Sequence, residues 1–131
     1  MKQELNILIA DRNPHVRKFL RRELMAEGYP VHLAENSRQV IDWVYHHEAD
    51  VLLILDPDLP DANETALLRK LRNRIPFLQV IIHTFLSSYD PGEFETGIFV
   101  EKGGSSIERL KQVVSDLLSQ NSGKHTDKGV Q

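Results

Sequence analysis

The sequence predicts an α/β domain, a doubly wound parallel sheet of five strands, on three observations. Five apolar runs of strand length alternate with helical patterns: residues 5–10, 31–34, 51–55, 80–83 and 98–101. Each clear helix is preceded by a recognisable start signal. Four of the five runs end on a polar residue, namely Asp11, Asp56, Thr84 and Lys102. Strands alternating with helices imply βαβ units, whose right-handed crossovers build a parallel sheet covered on both faces.

The elements follow in order. Residues 5–10 (LNILIA) form the first strand and end on Asp11. Helix one opens at Asn13-Pro14: the asparagine side chain can accept from a free backbone N–H, and proline at the first helical position gives up a donor that had no partner. Val16, Phe19, Leu20 and Leu24 share its apolar face, and Gly28 with Pro30 supplies the stop. After a short strand at 31–34, Asn36 and Gln39 make a capping pair for a helix that turns Val40, Ile41 and Val44 inward. Residues 51–55 (VLLIL) read as a strand buried on both faces, ending on Asp56. Asp61 and Glu64 have capping-box spacing ahead of Leu67, Leu68 and Leu71, and Ser105 and Glu108 repeat it ahead of Ile107, Leu110, Val113, Val114, Leu117 and Leu118. Between the fourth and fifth strands, Pro91-Gly92 interrupts any helical period, so a fourth helix is short or absent.

Bulk properties narrow the function classes. A chain of 131 residues is a single-domain length. With 40% hydrophobic and 27% charged residues and no apolar run of bilayer length, it reads as soluble, with no membrane partner. The amino terminus has no signal-peptide pattern and the chain has no cysteine, which together point to the cytoplasm. A net charge of −3 argues against direct nucleic-acid binding. Residues 120–131 carry almost no apolar side chain and read as a disordered tail or truncated linker after a domain spanning 4–119.

Carboxylates at the carboxyl ends of parallel strands stand where ligands gather in open α/β sheets. Asp11, then Leu55-Asp56-Pro57 with Pro60 beyond it, then Thr84, then Phe99-Val100-Glu101-Lys102 occur in an order and spacing that resemble the receiver domain of two-component response regulators, over roughly residues 4 to 119. No single piece is specific; the ordered set carries the likeness. The resemblance implies a flavodoxin-like strand order 2-1-3-4-5. It also implies that Asp56 accepts a phosphoryl group from a histidine kinase or phosphotransfer protein, that Lys102 binds a phosphoryl oxygen, and that Thr84 donates its hydroxyl to another. By the same likeness Phe99 is the switch aromatic. Mg²⁺ would be held by Asp11, Asp56 and the backbone carbonyl of Asp58, a role suited to a hard cation. The activity implied is that of a phosphoacceptor signalling module, not an enzyme acting on a metabolite.

Four departures from the pattern bear on activation. Where receivers usually carry a second acidic residue after the first, this chain has Arg12. Two carboxylates about 4 Å apart repel by roughly 4 kcal/mol at an effective dielectric of 20, so a cation belongs between them. A guanidinium folded inward would substitute for the metal, and one pointing to solvent would leave a site that binds Mg²⁺ weakly. Phe85 stands where a small residue is usual, beside the switch position Thr84. Gly103 replaces the usual proline after the lysine, so the Lys102–Gly103 bond is expected trans, since a non-proline cis bond costs about 3 kcal/mol. The interval from Thr84 to Lys102 is also shorter than usual.

Two function classes follow. One is a phosphorelay receiver signalling through protein contacts; the other is a pseudo-receiver, an interaction or homodimerisation domain not switched by phosphate. A flavodoxin-like electron carrier would need a Ser/Thr/Gly-rich loop after the first strand, and Ala10-Asp11-Arg12-Asn13-Pro14 is no such loop. Phe85, Tyr89, Phe94 and Phe99 read as cover for a sheet face left bare by a missing helix. Arg17, Lys18, Arg21 and Arg22 read first as a solvated helix face. The histidines lack the spacing of a zinc site.

Overall fold

The computed structural model describes residues 5–47, 50–61, 63–85 and 98–130, with side chains through Ser119. The elements are β1 (Asn6–Ala10), α1 (Pro14–Ala26), β2 (Val31–Ala34), α2 (Ser37–His46), β3 (Val51–Leu55), α3 (Glu64–Arg74), β4 (Gln79–Thr84), β5 (Phe99–Glu101) and α4 (Ser106–Val130). All strand pairings are parallel and the order is β2-β1-β3-β4-β5, the doubly wound arrangement expected.

The central strand shows why. All five residues of β3 are buried, and alternation sends Leu53 and Leu55 to one face and Leu52 and Ile54 to the other. The first pair meets Val40 and Val44 of α2 and Leu67, Leu68 and Leu71 of α3. The second meets Leu20 and Leu24 of α1 and Leu110, Val114 and Leu117 of α4. Each such leucine contributes on the order of 2 kcal/mol by leaving water, and a strand sandwiched this way has no solvent face to permit a register slip.

Helix ends follow local chemistry. Asn13 caps α1, its Oδ1 accepting from the N–H groups of His15 at 2.8 Å and Val16 at 3.4 Å. At the other end Gly28 takes φ +98°. There its N–H donates to the Met25 carbonyl and the Tyr29 N–H reaches the Leu24 carbonyl, a full Schellman termination.

Several expectations need correction. Asn36 does cap α2 through the Gln39 N–H at 2.9 Å, but Gln39 Oε1 accepts from the N–H of Glu35, at 2.8 Å, instead of closing on Asn36. The cap of α3 is Asn63, accepting from the Ala66 N–H at 3.0 Å, and not Asp61. Asn63 directly precedes the first helical residue, so its side chain meets the free N–H groups first. Apart from these corrections, the backbone of α4 runs as helix from Ser106 through Val130. Extending an existing helix costs no new nucleus, so a polar segment can follow a well-packed one. The expected short or absent helix between β4 and β5, with Tyr89 and Phe94, lies outside the described residues. Among the described residues no peptide bond is cis and no helix is long and apolar enough to cross a membrane.

Candidate functional site

The sheet ladder itself assembles the site. The Asp56 N–H donates to the Ala10 carbonyl at 2.8 Å, and the Asp11 N–H to the Ala34 carbonyl at 3.2 Å. These bonds extend the pairing one residue past β1 and β3, so the two aspartates leave adjacent central strands side by side. Across the sheet the Lys102 N–H donates to the Thr84 carbonyl at 2.8 Å and carries the β4–β5 pairing one residue beyond β5. Asp11, Asp56 and Thr84 are all buried, Asp11 and Asp56 at 1% exposure.

Each carboxylate is held by backbone donors. Asp11 Oδ1 accepts from the Asn13 N–H at 2.9 Å, so the same turn that positions the carboxylate also positions the cap of α1. Asp56 Oδ1 accepts from the Asp58 N–H at 3.0 Å and its Oδ2 from the Arg12 N–H at 3.2 Å. Lys102 Nζ lies 3.0 Å from Asp11 Oδ2 and 3.9 Å from Asp56 Oδ2. The first is a charge-assisted hydrogen bond; the second is beyond hydrogen-bond reach and acts through charge alone. Burial pushes the Asp11 carboxyl above the usual range; the Asn13 N–H and Lys102 oppose that shift, and the charge of Asp56 adds to it.

The Arg12 side chain turns back over this group. Its Nε is 3.6 Å from Asp56 Oδ2 and its Nη2 is 3.8 Å from Asp58 Oδ2, while 56% of the side chain remains exposed. The guanidinium therefore lies between the Asp56 carboxylate and that of Asp58 in the next loop. It leans toward both carboxylates from a position that solvent still reaches. Phe85 is half-exposed, and Lys102 Nζ lies 5.8 Å from its ring centroid, a cation–π contact at the outer limit of that interaction. Phe99 packs against the cluster on the α2/α3 side of the sheet.

Receiver domains generally bind Mg²⁺ at the phosphorylation site, and the donor set here fits such an ion poorly. Mg²⁺ requires near-octahedral oxygen ligands at about 2.0–2.1 Å. Asp11 Oδ2 already faces an ammonium, and Asp56 Oδ2 faces a backbone N–H, a guanidinium and that ammonium. Among the described residues no three His, Cys, Asp or Glu side chains converge to hold a metal ion.

Two neighbours escaped the sequence reading. Arg17, grouped there with a solvated basic stripe, is largely buried and donates from Nη1 to the Asp11 carbonyl at 2.6 Å, bracing the β1–α1 loop. Nothing within the run of basic residues separates it from Lys18 and Arg21; the Asp11 carbonyl does. His83 is buried at the end of β4, with Nε2 3.3 Å from Ser106 Oγ at the start of α4 and Nδ1 without a hydrogen-bond partner. Burial, aided by the charge of Lys102, lowers its pKa to about 4, so the ring is neutral at pH 7. A histidine inside an apolar strand carries no motif that announces it.

Comparison with known proteins agrees with this geometry. The family model described as the response regulator receiver domain matches residues 7–94. The response regulator MprA of Mycolicibacterium vanbaalenii is 31% identical over 80 residues, which are 61% of this chain and 34% of that protein. The chain thus spans about a third of the length of the curated relative it matches. Among solved structures, a CheY-like receiver domain protein from Methanospirillum hungatei superposes with a TM-score of 0.76 at 23% identity, covering 93% of this chain and 99% of that one. A two-component response regulator from Clostridium difficile gives 0.76 at 22% identity, covering 88% and 97%. At such identities the structural matches speak for the fold alone, and the family assignment rests on the sequence model. With more than half of the chain matched by that model, this protein belongs to the response regulator receiver domain family.

Proposed function

We propose that Asp56 is the phosphoacceptor of this receiver and takes its phosphoryl group from the phosphohistidine of a histidine kinase or phosphotransfer protein. The observation that supports this most is the fixed Asp56 carboxylate, buried at the end of β3, bonded by the N–H groups of Arg12 and Asp58, with Lys102 Nζ 3.9 Å from its Oδ2. In the transfer, an Asp56 oxygen forms a bond to phosphorus as the phosphorus–nitrogen bond breaks. The imidazole leaves with that electron pair and takes up a proton from solvent. Little covalent work falls to the protein in such a step, and positioning and charge neutralisation supply most of the catalysis. Lys102 moves its ammonium from Asp11 and Asp56 to a phosphoryl oxygen. Thr84 donates its hydroxyl to another, and Phe99 carries the change to a protein partner. No step is routed through Mg²⁺.

The signalling domain acts through protein contacts in the cytoplasm, where response regulators typically work. A second reading, a pseudo-receiver that binds or dimerises without phosphate, is favoured by one feature: the Arg12 guanidinium already lies against Asp56 and Asp58. Intact-protein mass after incubation with acetyl phosphate, with and without Mg²⁺ and beside Asp56→Asn, separates the two. An adduct of one phosphoryl group that disappears in Asp56→Asn supports the receiver. No adduct in folded protein under either condition moves the function to the pseudo-receiver.

A further inference from the structure

We propose that Arg12, together with Lys102, is a permanent replacement for the divalent cation at this site, so that side chains offset two of the three charges of the acidic cluster and exclude the metal. Three carboxylates, Asp11, Asp56 and Asp58, are each met by a cation: Lys102 Nζ at 3.0 Å from Asp11, Arg12 Nε at 3.6 Å from Asp56, and Arg12 Nη2 at 3.8 Å from Asp58. The backbone delivers the guanidinium. Because the Arg12 N–H is itself bonded to Asp56 Oδ2, its side chain starts from the carboxylate that it neutralises and needs only to fold over it. An arginine does not lose its charge in the physiological range, so this neutralisation does not vary with pH or with cation concentration. A divalent ion seated on Asp56 and Asp58 would have to displace the guanidinium or bear its repulsion at close range.

The inference deepens the phosphoacceptor reading, because it sets what the reaction at Asp56 requires, yet it can be tested without any phosphoryl transfer. The guanidinium is half-exposed and planar, so it can swing from the two carboxylates to a pair of phosphoryl oxygens, which its fork of N–H donors fits in a bidentate manner.

The test is a titration of ¹⁵N-labelled protein with Mn²⁺ alone, a paramagnetic stand-in for Mg²⁺, read as line broadening of the amides around Asp11, Asp56 and Asp58. Wild type is expected to show no broadening centred on these amides at concentrations where Arg12→Asp is fully broadened, an apparent affinity gain of at least tenfold. Arg12→Ala, which removes the guanidinium without adding a ligand, is expected to gain a smaller increment and serves in place of Arg12→Asp if that variant does not fold. Wild-type broadening at the affinity of the variants would overturn the proposal, and so would two folded variants that both fail to bind. No phosphoryl donor is present, so a failure of Asp56 to be phosphorylated leaves this result standing. Conversely, tight Mn²⁺ binding by a wild type that phosphorylates would remove the metal replacement and keep the acceptor.

Discussion

Asp61 caps a helix that is not its own: its Oδ1 accepts from the N–H of Ser37, the first residue of α2, at 2.8 Å, and its Oδ2 from the N–H of Arg38 at 3.3 Å. The loop that follows the proposed acceptor is thereby fastened to the amino terminus of the neighbouring helix. Burial acts to raise the Asp61 pKa, and the N–H groups of Ser37 and Arg38 with the Ser37 hydroxyl more than reverse it, leaving the carboxyl below its ordinary value. A lowered carboxylate pKa contributes stability that is complete above the unfolded value of 3.8 and is lost as pH falls through the folded one. Replacing Asp61 by Ala should cost about 1 kcal/mol in urea unfolding, as for loss of a helix cap. That difference should persist from pH 7 to pH 5 and close only in stronger acid. Coincident unfolding curves at pH 7 would show the contact to be energetically idle.

Asp11 carries the opposite balance, since burial and the nearby Asp56 charge both disfavour its ionised form. Asp11→Asn keeps an oxygen to accept from the Asn13 N–H and removes one buried negative charge beside Asp56. Lys102 loses its 3.0 Å partner but retains Asp56. The variant should unfold at a higher temperature than wild type at pH 7, by roughly 4 °C for each kcal/mol released in a domain of this size. A lower melting temperature would mean that the Lys102–Asp11 pair outweighs the cost of burying the charge.

The sheet and most of the site were legible in the sequence because both rest on strong local signals. Apolar runs of strand length, each followed by a polar residue, placed Asp11, Asp56, Thr84 and Lys102 on one edge, and Gly28 and Asn13 bounded α1 by backbone rules that need no tertiary information. What escaped depended on contacts between distant segments. Asp61 has capping-box spacing with Glu64, yet it bonds to Ser37, 24 positions away, because Asn63 stands closer to the free N–H groups of α3. Arg17 shares a run of basic residues with Lys18 and Arg21, and only the position of the Asp11 carbonyl tells it apart. The direction of Arg12 was likewise left open by residue identity; the Asp56 carboxylate, bonded to its N–H, decides it.

Two glycines should respond in opposite directions to alanine. Gly28 sits at φ +98°, where a Cβ meets its own backbone, so Gly28→Ala should destabilise by about 1 kcal/mol despite open space around it. Gly104 has no such φ, and a Cβ there would meet nothing within 4 Å. Gly104→Ala should therefore stabilise by roughly 0.4–1 kcal/mol through the narrower unfolded ensemble. Thermal denaturation of the two variants beside wild type tests both signs at once, and equal shifts would refute the conformational argument.

His83 sets the behaviour of the fold in mild acid. Neutral in the folded chain with a pKa of about 4 against 6.5 in the unfolded one, it makes the unfolded state bind more protons throughout that window. Stability contributed by the neutral ring is therefore complete above pH 6.5 and drains away as pH falls toward 4, by at most about 3 kcal/mol at 1.36 kcal/mol per unit. His83→Leu removes the titrating group and the unpartnered Nδ1 together, at the expense of the 3.3 Å contact to Ser106. At pH 7 these changes nearly offset, because an unsatisfied buried nitrogen costs about as much as one neutral hydrogen bond gains. At pH 4.5 they do not, and the variant should be the more stable protein. Urea unfolding of the two chains at both pH values measures the divergence. Parallel stability curves from pH 7 to 4.5 would show that the ring takes up its proton as readily folded as unfolded, with the charge of Asp56 offsetting burial and Lys102.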